Sequence, residues 1–235
     1  GGNRAPGEFR RIQNWIGPPG STIVTASYVP PPTTEMMAAL DAFEKYLHAE
    51  SQIPLLIRAA IIHYQFEAIH PFLDGNGRVG RLLITFLLHT AGILEQPLLY
   101  LSAFFERNRG EYYARMLDVS RRGAWLEWID FFLRGVTEQA NDAIIRSKRL
   151  LDLWKAYRQS VTSARSSALL LALIDHLFAT PATTVTNVAN MFDVTYAAAK
   201  NNVDKLVAAG ILRDPQDGRW PKIYIASELI EALEA

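Results

Sequence analysis

The sequence predicts a mainly α-helical protein with two domains. Apolar residues recur with the period of an α-helix through most of residues 33–157. The segments predicted to be strands are short and lie near residues 21–29 and 211–226. A polar stretch, Gln159 to Ser167, separates two apolar regions. We therefore predict a helical domain with a short β-hairpin over residues 1–160, followed by a winged helix-turn-helix domain over residues 161–235.

The composition is that of a globular protein and restricts the chemistry. The 235 residues are 49% hydrophobic and 20% charged, and the zero net charge provides no electrostatic argument for a nucleic-acid partner. The absence of cysteine excludes disulfides and thiolate metal sites and suits a reducing compartment, so we predict a cytoplasmic protein. No apolar run reaches the ~18 residues of a membrane span, and we predict no membrane partner.

The first predicted element is a short β-hairpin over about residues 12–30. Ile16 to Gly20 contains two adjacent prolines between glycines, which is a turn signal. Ser21 to Val29 is rich in β-branched residues, and the prolines that follow end the segment. An ordered surface loop is the alternative interpretation.

Three helices follow the hairpin. The first runs from about Glu35 to Ala49, with Thr33 or Thr34 as its expected N-cap. The second is Leu55 to Ile69 and the third is Arg78 to Gly92. In the second helix we interpret His63 as a residue that packs or supports the site, and not as a metal ligand, because neither His nor Cys follows it three or four residues later, although Glu67 is four residues on.

The loop between the second and third helices has the sequence HPFLDGNGRVGR, from His70 to Arg81. Pro71 disfavours helical geometry at His70, so the imidazole should lie at the C-terminus of the second helix. At the other end, Gly75 and Gly77 allow a ligand to approach the backbone closely, just before a helix N-terminus.

A helix N-terminus with free N–H groups is a binding site for anions. Arg78 and Arg81 lie in the first helical turn, where the helix dipole disfavours cations unless a polyanion is bound. Asp74 supplies an oxygen ligand suited to Mg²⁺. The loop therefore combines a base, a metal ligand and an anion site, which are the groups that phosphoryl-type transfer needs.

The loop resembles the signature of the Fic family, named for filamentation induced by cyclic AMP. HPFLDGNGRVGR agrees at every defined position with the family pattern H-x-F-x-(D/E)-G-N-G-R-x-x-R. The resemblance implies a Fic-type helical core and a protein adenylyltransferase, which transfers AMP from ATP to a Ser, Thr or Tyr hydroxyl of a target protein and releases pyrophosphate. ATP would be the substrate and Mg²⁺ the cofactor.

The resemblance also implies roles for single residues. His70 would accept the proton of the attacking hydroxyl, Asp74 would hold Mg²⁺, and Phe72 would be the buried anchor of the loop. The implied nucleotide-binding residues are Gly75, Asn76, Gly77, Arg78, Arg81, Tyr113 and Trp125, of which the last two would contribute to the base pocket.

In the Fic family a hairpin called the flap lies beside the active-site loop. It holds the modified segment of the target in extended form by main-chain pairing. The resemblance therefore implies that the hairpin over residues 12–30 is the flap. Its implied docking positions are Ile23, Val24, Thr25 and Ala26.

The second domain is predicted from the order of its elements. A helix begins near Ala168, a helix-turn-helix covers about residues 186–209, and strands near Ile211 and Lys222 enclose a turn at Pro215 to Gly218. Positive charge on the second helix of this motif is sparse. DNA binding and a protein contact such as a homodimer therefore both stay open.

Two classes of alternative function remain. The first is another Fic-fold enzyme, either a phosphotransferase or a de-AMPylase. De-AMPylation would need the glutamate of the family's inhibitory helix, whose S/T-x-x-x-E pattern matches weakly at Ser102–Glu106 and Ser227–Glu231. The second is a transcriptional regulator that senses nucleotide with its helical core and acts through the winged helix.

Overall fold

The computed structural model describes residues 7–94, 99–162, 168–214 and 220–234. The chain divides into two compact units, Gly1–Asn141 and Asp142–Ala235. The division lies earlier in the chain than the predicted boundary at residues 160 and 161. The reason is that Leu150, Leu153, Trp154 and Tyr157 pack in the hydrophobic core of the second unit.

The first unit consists of helices. They are α1 Thr33–His48, α2 Leu55–Ile69, α3 Asn76–Thr90, α4 Leu101–Arg107, α5 Arg109–Arg122 and the first part of α6 Trp125–Val161. α2 lies at the centre of this unit, because one side of it packs on α1 and another side faces the aromatic residues of α4, α5 and α6. Trp128 is fully buried, and its indole N–H donates to the Ala60 carbonyl at 3.0 Å.

The ends of these helices differ slightly from the sequence prediction. α1 begins at Thr33 after Pro32, which occupies the N-cap position, so neither Thr33 nor Thr34 is the cap. α3 begins at Asn76 rather than Arg78, because Gly75 takes a left-handed conformation with φ 87° and ends the loop there.

The predicted hairpin over residues 12–30 takes the form of a loop with minimal pairing. Ile16 and Tyr28 form one antiparallel bridge, in which the Ile16 N–H donates to the Tyr28 carbonyl at 2.9 Å. The expected continuous strand from Ser21 to Val29 is not formed. Instead, the Thr25 side chain accepts the Thr22 N–H at 2.9 Å and stabilises a turn, which is the known competition of threonine side chains with strand pairing.

The second unit contains four helices and two short strands in its described residues. They follow the last part of α6, which also belongs to this unit. In chain order they are α7 Ala168–Ala179, β1 Ala182–Thr183, α8 Val185–Met191, α9 Tyr196–Ala208, β2 Tyr224–Ile225 and α10 Ser227–Glu234. β1 and β2 are antiparallel and pair Ala182 with Ile225 and Thr183 with Tyr224. Arg213 adds one bridge to Ile225, and the turn predicted at Pro215 to Gly218 lies outside the described residues. The winged-helix assignment stays a prediction.

Within the described ranges, every helix is too short or too polar to cross a lipid bilayer.

Candidate active site

His70 lies at the junction between α2 and the loop. Its backbone has φ 50° and ψ 59°, a left-handed conformation that is uncommon for a residue with a side chain. The His70 N–H still donates to the Phe66 carbonyl at 3.0 Å, so the residue ends α2 and turns the chain into the loop. This local turn directs the loop away from the axis of α2.

The hydrogen bonding of His70 selects one form of the imidazole. Nδ1 lies 3.3 Å from the carbonyl oxygen of Glu67. Because a carbonyl can only accept, this contact favours the tautomer with the proton on Nδ1 and leaves Nε2 with its lone pair. Nε2 is therefore the nitrogen that can take a proton.

The surroundings of His70 also favour its neutral form. The pKa of His70 is lowered from 6.5, and burial is the largest cause. The hydrogen bond to the Glu67 carbonyl raises the pKa, and the charge of Arg10 lowers it further. Burial is thus the main cause of the lowered pKa, and the arginine that contributes lies outside the loop.

Arg10 was missed by the sequence reasoning. It is only 2% exposed, and its guanidinium donates to the carbonyls of His70 at 3.0 Å, Ile69 at 3.5 Å and Pro31. Its N–H donates to the Pro71 carbonyl at 2.8 Å. A cation at these carbonyls stabilises the C-terminal end of α2 and fixes the N-terminal segment beside the loop.

The loop is held in shape by Asn76. This residue is 2% exposed, and its side-chain amide accepts the Phe72 N–H at 2.9 Å and donates to the Phe72 carbonyl at 2.7 Å. Asn14 donates to the same carbonyl at 3.1 Å. The Phe72 ring is half-buried against Phe9 and Phe66, with ring centroids 5.5 and 6.4 Å away.

The first turn of α3 has the geometry that the predicted anion site requires. The N–H groups of Arg78 and Val79 both donate to the Gly75 carbonyl at 3.0 Å, so those of Asn76 and Gly77 are the ones that the helix leaves for a ligand. A Cβ atom on Gly75 would lie 3.4 Å from Nη2 of Arg78, and one on Gly77 would lie 3.0 Å from Nη1 of Arg81. Both guanidinium groups therefore border the glycine backbone, which is an arrangement suited to phosphate.

Asp74 lies on the exposed surface of the loop, and its carboxylate accepts the Gly75 N–H at 2.8 Å. The described residues contain no group of three or more His, Cys, Asp or Glu side chains that could hold a metal ion. One exposed carboxylate beside a phosphate cradle fits Mg²⁺, which commonly binds through one or two carboxylates together with phosphate oxygens. The donor set therefore suits a magnesium ion that arrives with a nucleotide.

A cavity of about 430 Å³ extends between the flap loop, α2 and α5. Its walls include Tyr28, Glu67, Arg109 and Tyr113. Tyr113, one of the two residues predicted for the base pocket, thus lies in the wall of this cavity. Trp125 is outside the cavity wall and packs edge-on against Tyr64, a wall residue, at 4.9 Å, so its predicted contact with a nucleotide would be indirect.

The flap residues form the tip of the loop. Ile23, Val24 and Thr25 lie in the turn that Thr22 begins, and Val24 is 89% exposed. At the base of the flap, the Tyr28 hydroxyl donates to the Ala68 carbonyl at 2.9 Å. The tip is therefore accessible to a partner, while the base is attached to α2.

Two titratable residues of α2 lie behind the site. His63 is fully buried, its Nε2 lies 3.0 Å from the Tyr112 hydroxyl, and burial lowers its pKa to about 4, which confirms its interpretation as a packing residue. Glu67 was noted in the sequence only as a neighbour of His63. Its side chain is 10% exposed, and burial raises its pKa to about 7 although the charge of Arg81 acts in the opposite direction.

Comparisons with known proteins support the family resemblance of the sequence. Residues 2–88 match the model of the Fic/DOC family. Proteins named protein adenylyltransferase Fic from Drosophila yakuba and Drosophila melanogaster are 40% and 39% identical over 88 residues, which cover 37% of this chain and 16% of theirs. A solved Fic family protein from Desulfovibrio desulfuricans G20 covers 93% of this chain and 62% of its own length with a TM-score of 0.54 and 17% identity, and so supports the fold alone.

Proposed function

We propose that this chain, which contains a Fic/DOC family domain at residues 2–88, is a protein adenylyltransferase. The reaction would join a Ser, Thr or Tyr hydroxyl of a target protein to the α-phosphorus of ATP, with pyrophosphate as the leaving group. The observation that carries the proposal is the combination of a neutral His70 with the phosphate cradle at the start of α3.

His70 would act as the general base. The contact of Nδ1 with the Glu67 carbonyl leaves Nε2 to accept the hydroxyl proton as the oxygen attacks. Burial supports this role, because a lowered pKa keeps the imidazole unprotonated near neutral pH.

The phosphates would lie over the first turn of α3. The N–H groups of Asn76 and Gly77 would donate to phosphate oxygens, and Arg78 and Arg81 would neutralise charge along the same edge. Asp74 would hold Mg²⁺ against the phosphates, and the bound ion would neutralise charge there. Gly75 contributes its left-handed backbone, which allows the sharp entry into α3.

The cavity beside Tyr113 supports a site for the base of the nucleotide. It is of a size typical for small-molecule sites, and its walls are mainly apolar and aromatic. The exposed flap tip would receive the target protein. In the present conformation this tip is a turn, so main-chain pairing over Ile23–Ala26 would require it to extend.

The test is transfer of label from α-labelled ATP to proteins of a cell lysate, with mass analysis of the labelled species. We expect labelled protein with the unmodified chain and none with His70→Ala. His89→Ala is the matched control, since His89 is an exposed histidine of α3. Wild-type transfer by His70→Ala would refute the assignment of the base.

The two alternative enzymes use the same loop. The phosphotransferase alternative is disfavoured by the intact glycine pattern of HPFLDGNGRVGR. The de-AMPylase would need an inhibitory glutamate. Glu106, the glutamate of the weak match at Ser102–Glu106, instead forms an ion pair with the neighbouring Arg109 at 3.7 Å. Release of AMP from a labelled target by this chain would favour the de-AMPylase.

The transcriptional-regulator alternative depends on the second unit. There, Tyr196, Lys200, Trp220 and Lys222 line one cavity of about 250 Å³. Both lysines are paired with aspartates, Lys200 with Asp204 and Lys222 with Asp214, which weakens their attraction for phosphate. The test is binding of duplex DNA by the full chain, and no retention at ~50 mM salt would remove this alternative.

A further inference from the structure

The carboxyl group of Glu67 lies between the candidate base and the second arginine of the loop. Glu67 lies in the last turn of α2, three residues before His70. Its Oε2 atom is 4.0 Å from Nδ1 of His70. Its Oε1 atom is buried and has no hydrogen-bond partner among the described residues. A buried carboxyl oxygen without a partner is costly and calls for an explanation.

On its other side, Glu67 lies against the backbone of α3. A Cβ atom on Gly80 would be 2.5 Å from Oε1, so only glycine at this position leaves room for the carboxyl group. The position of a Cβ atom on Gly77 would be 3.8 Å from Oε1 and 3.0 Å from Nη1 of Arg81. The carboxyl group and the Arg81 guanidinium thus border the same point on α3.

Several other titratable or charged groups face this region. Tyr112 of α5 and His63 of α2 are joined to each other, Arg109 lies in the cavity wall, and Arg10 lies next to His70. The cation whose charge acts on Glu67 is Arg81, which favours the ionised carboxylate. Burial opposes ionisation and is the larger effect, so the pKa of Glu67 is raised to about 7. The carboxyl group is therefore able to change its charge near neutral pH.

We propose that Glu67 is a positioning residue for the transfer reaction, because its carboxyl group couples the state of His70 to the freedom of Arg81. This proposal rests on the proposed function. An ionised Glu67 attracts Arg81 toward α2, away from phosphate, and favours a protonated His70, which cannot act as a base. A protonated Glu67 releases Arg81 to the phosphates and leaves His70 neutral. A bound polyanion favours the protonated form, so nucleotide binding and proton uptake by Glu67 are linked.

The first test needs no nucleotide. The imidazole of His70 is titrated by NMR in the wild type, in Glu67→Gln and in the control Glu44→Gln, where Glu44 is an exposed residue of α1. In the wild type and in Glu44→Gln we expect the imidazole resonances to show, besides the step of His70 itself, a second step near pH 7 that reports the titration of Glu67. Glu67→Gln should lack this second step. A wild type without the second step, or a Glu67→Gln variant that retains it, would overturn the coupling to His70. Glu67→Asp keeps an ionisable group and should retain part of the wild-type behaviour. This variant replaces Glu67→Gln in the test if the glutamine variant is poorly folded.

The second test measures the Kd for ATP at saturating Mg²⁺ between pH 6 and pH 8.5. In the wild type and in Glu44→Gln, affinity should weaken above pH 7 by up to about tenfold per pH unit. Glu67→Gln should lack this component. The same pH dependence in Glu67→Gln and wild type would overturn the coupling to Arg81.

The two proposals fail in different ways. If the His70 titration and the ATP affinity respond as expected but label never reaches a protein, the proposed transfer activity is wrong and the role of Glu67 in coupling His70 to Arg81 stands. If transfer depends on His70 while both Glu67 readouts match those of the control, Glu67 is a packing residue only.

Discussion

Arg10 donates from its Nε atom to the carbonyl oxygen of His70 at 3.0 Å, although 60 residues separate the two in the chain. The same side chain is buried and also reaches the carbonyls of Ile69 and Pro31. One arginine thus connects the N-terminal segment, the end of α2 and the candidate base. It contributes to the lowered pKa of His70 and to the stability of this junction.

Replacing Arg10 should therefore change both stability and titration. Arg10→Met leaves several carbonyls without a donor, and we expect a loss of about 2–4 kcal/mol in the free energy of unfolding. Removal of the cation should also raise the pKa of His70. Urea unfolding and NMR titration measure the two effects. Arg11→Met is the control, since Arg11 is exposed and bonds only to Glu8 at 3.1 Å in the described residues, and it should change stability by less than about 0.5 kcal/mol.

The contact between Gly80 and Glu67 predicts a non-additive pair of substitutions. In Gly80→Ala the new methyl group would meet Oε1 of Glu67, and we expect destabilisation by about 1–3 kcal/mol. In a Glu67→Ala background the oxygen is absent, and Gly80→Ala should be neutral or stabilising by up to about 1 kcal/mol, because alanine favours the helix. Gly110→Ala is the control, because no atom lies within 4 Å of its would-be Cβ. Additive effects in the double-mutant cycle would contradict the proposed contact.

His63 and Glu67 should make stability depend on pH in opposite directions. The pKa of His63 is about 4 in the fold against 6.5 normally, so its contribution to stability is lost as pH falls from 6.5 to 4. The pKa of Glu67 is about 7 against 4.5 normally, so its carboxylate lowers stability as pH rises from 4.5 to 7. Each effect has a limit of about 3 kcal/mol.

Unfolding of two variants separates these effects. His63→Gln should become more stable as the pH falls from 7 to 5, because the buried Glu67, which remains, becomes protonated. Glu67→Gln should become less stable over the same interval, because His63 remains. Equal slopes in the two variants, measured by urea unfolding, would show that burial does not perturb these groups as described.

Tyr113 should affect nucleotide affinity rather than chemistry. It lines the cavity beside the loop and is stacked by Arg109 at 5.7 Å. Tyr113→Ala should raise the Kd for ATP by about 3- to 10-fold, the usual value of one aromatic contact. Tyr196→Ala is a matched control, since both tyrosines are 48% exposed. Equal ATP affinity of Tyr113→Ala and wild type would remove Tyr113 from the base pocket.

Local patterns were sufficient for much of the first unit. The bounds of α2 were predicted without error, and those of α3 within two residues. The reason is that the period of apolar residues and the helix-ending residues Pro54, Pro71 and Gly75 are local features of the sequence. The mostly helical fold class was confirmed by the similarity to a Fic family structure. The flap was harder, because whether a β-branched segment pairs depends on what it packs against and not on its composition.

The sequence by itself determined which chemical groups gather in the loop from His70 to Arg81, because they lie within one short segment between two helices. Only the tertiary structure decided the protonation of His70 and of the two titratable residues behind it in α2. Arg10 comes from a distant segment, and Glu67 and His63 owe their shifted pKa values to burial by other helices. Desolvation depends on all the neighbours that exclude water, so no motif within the chain encodes it.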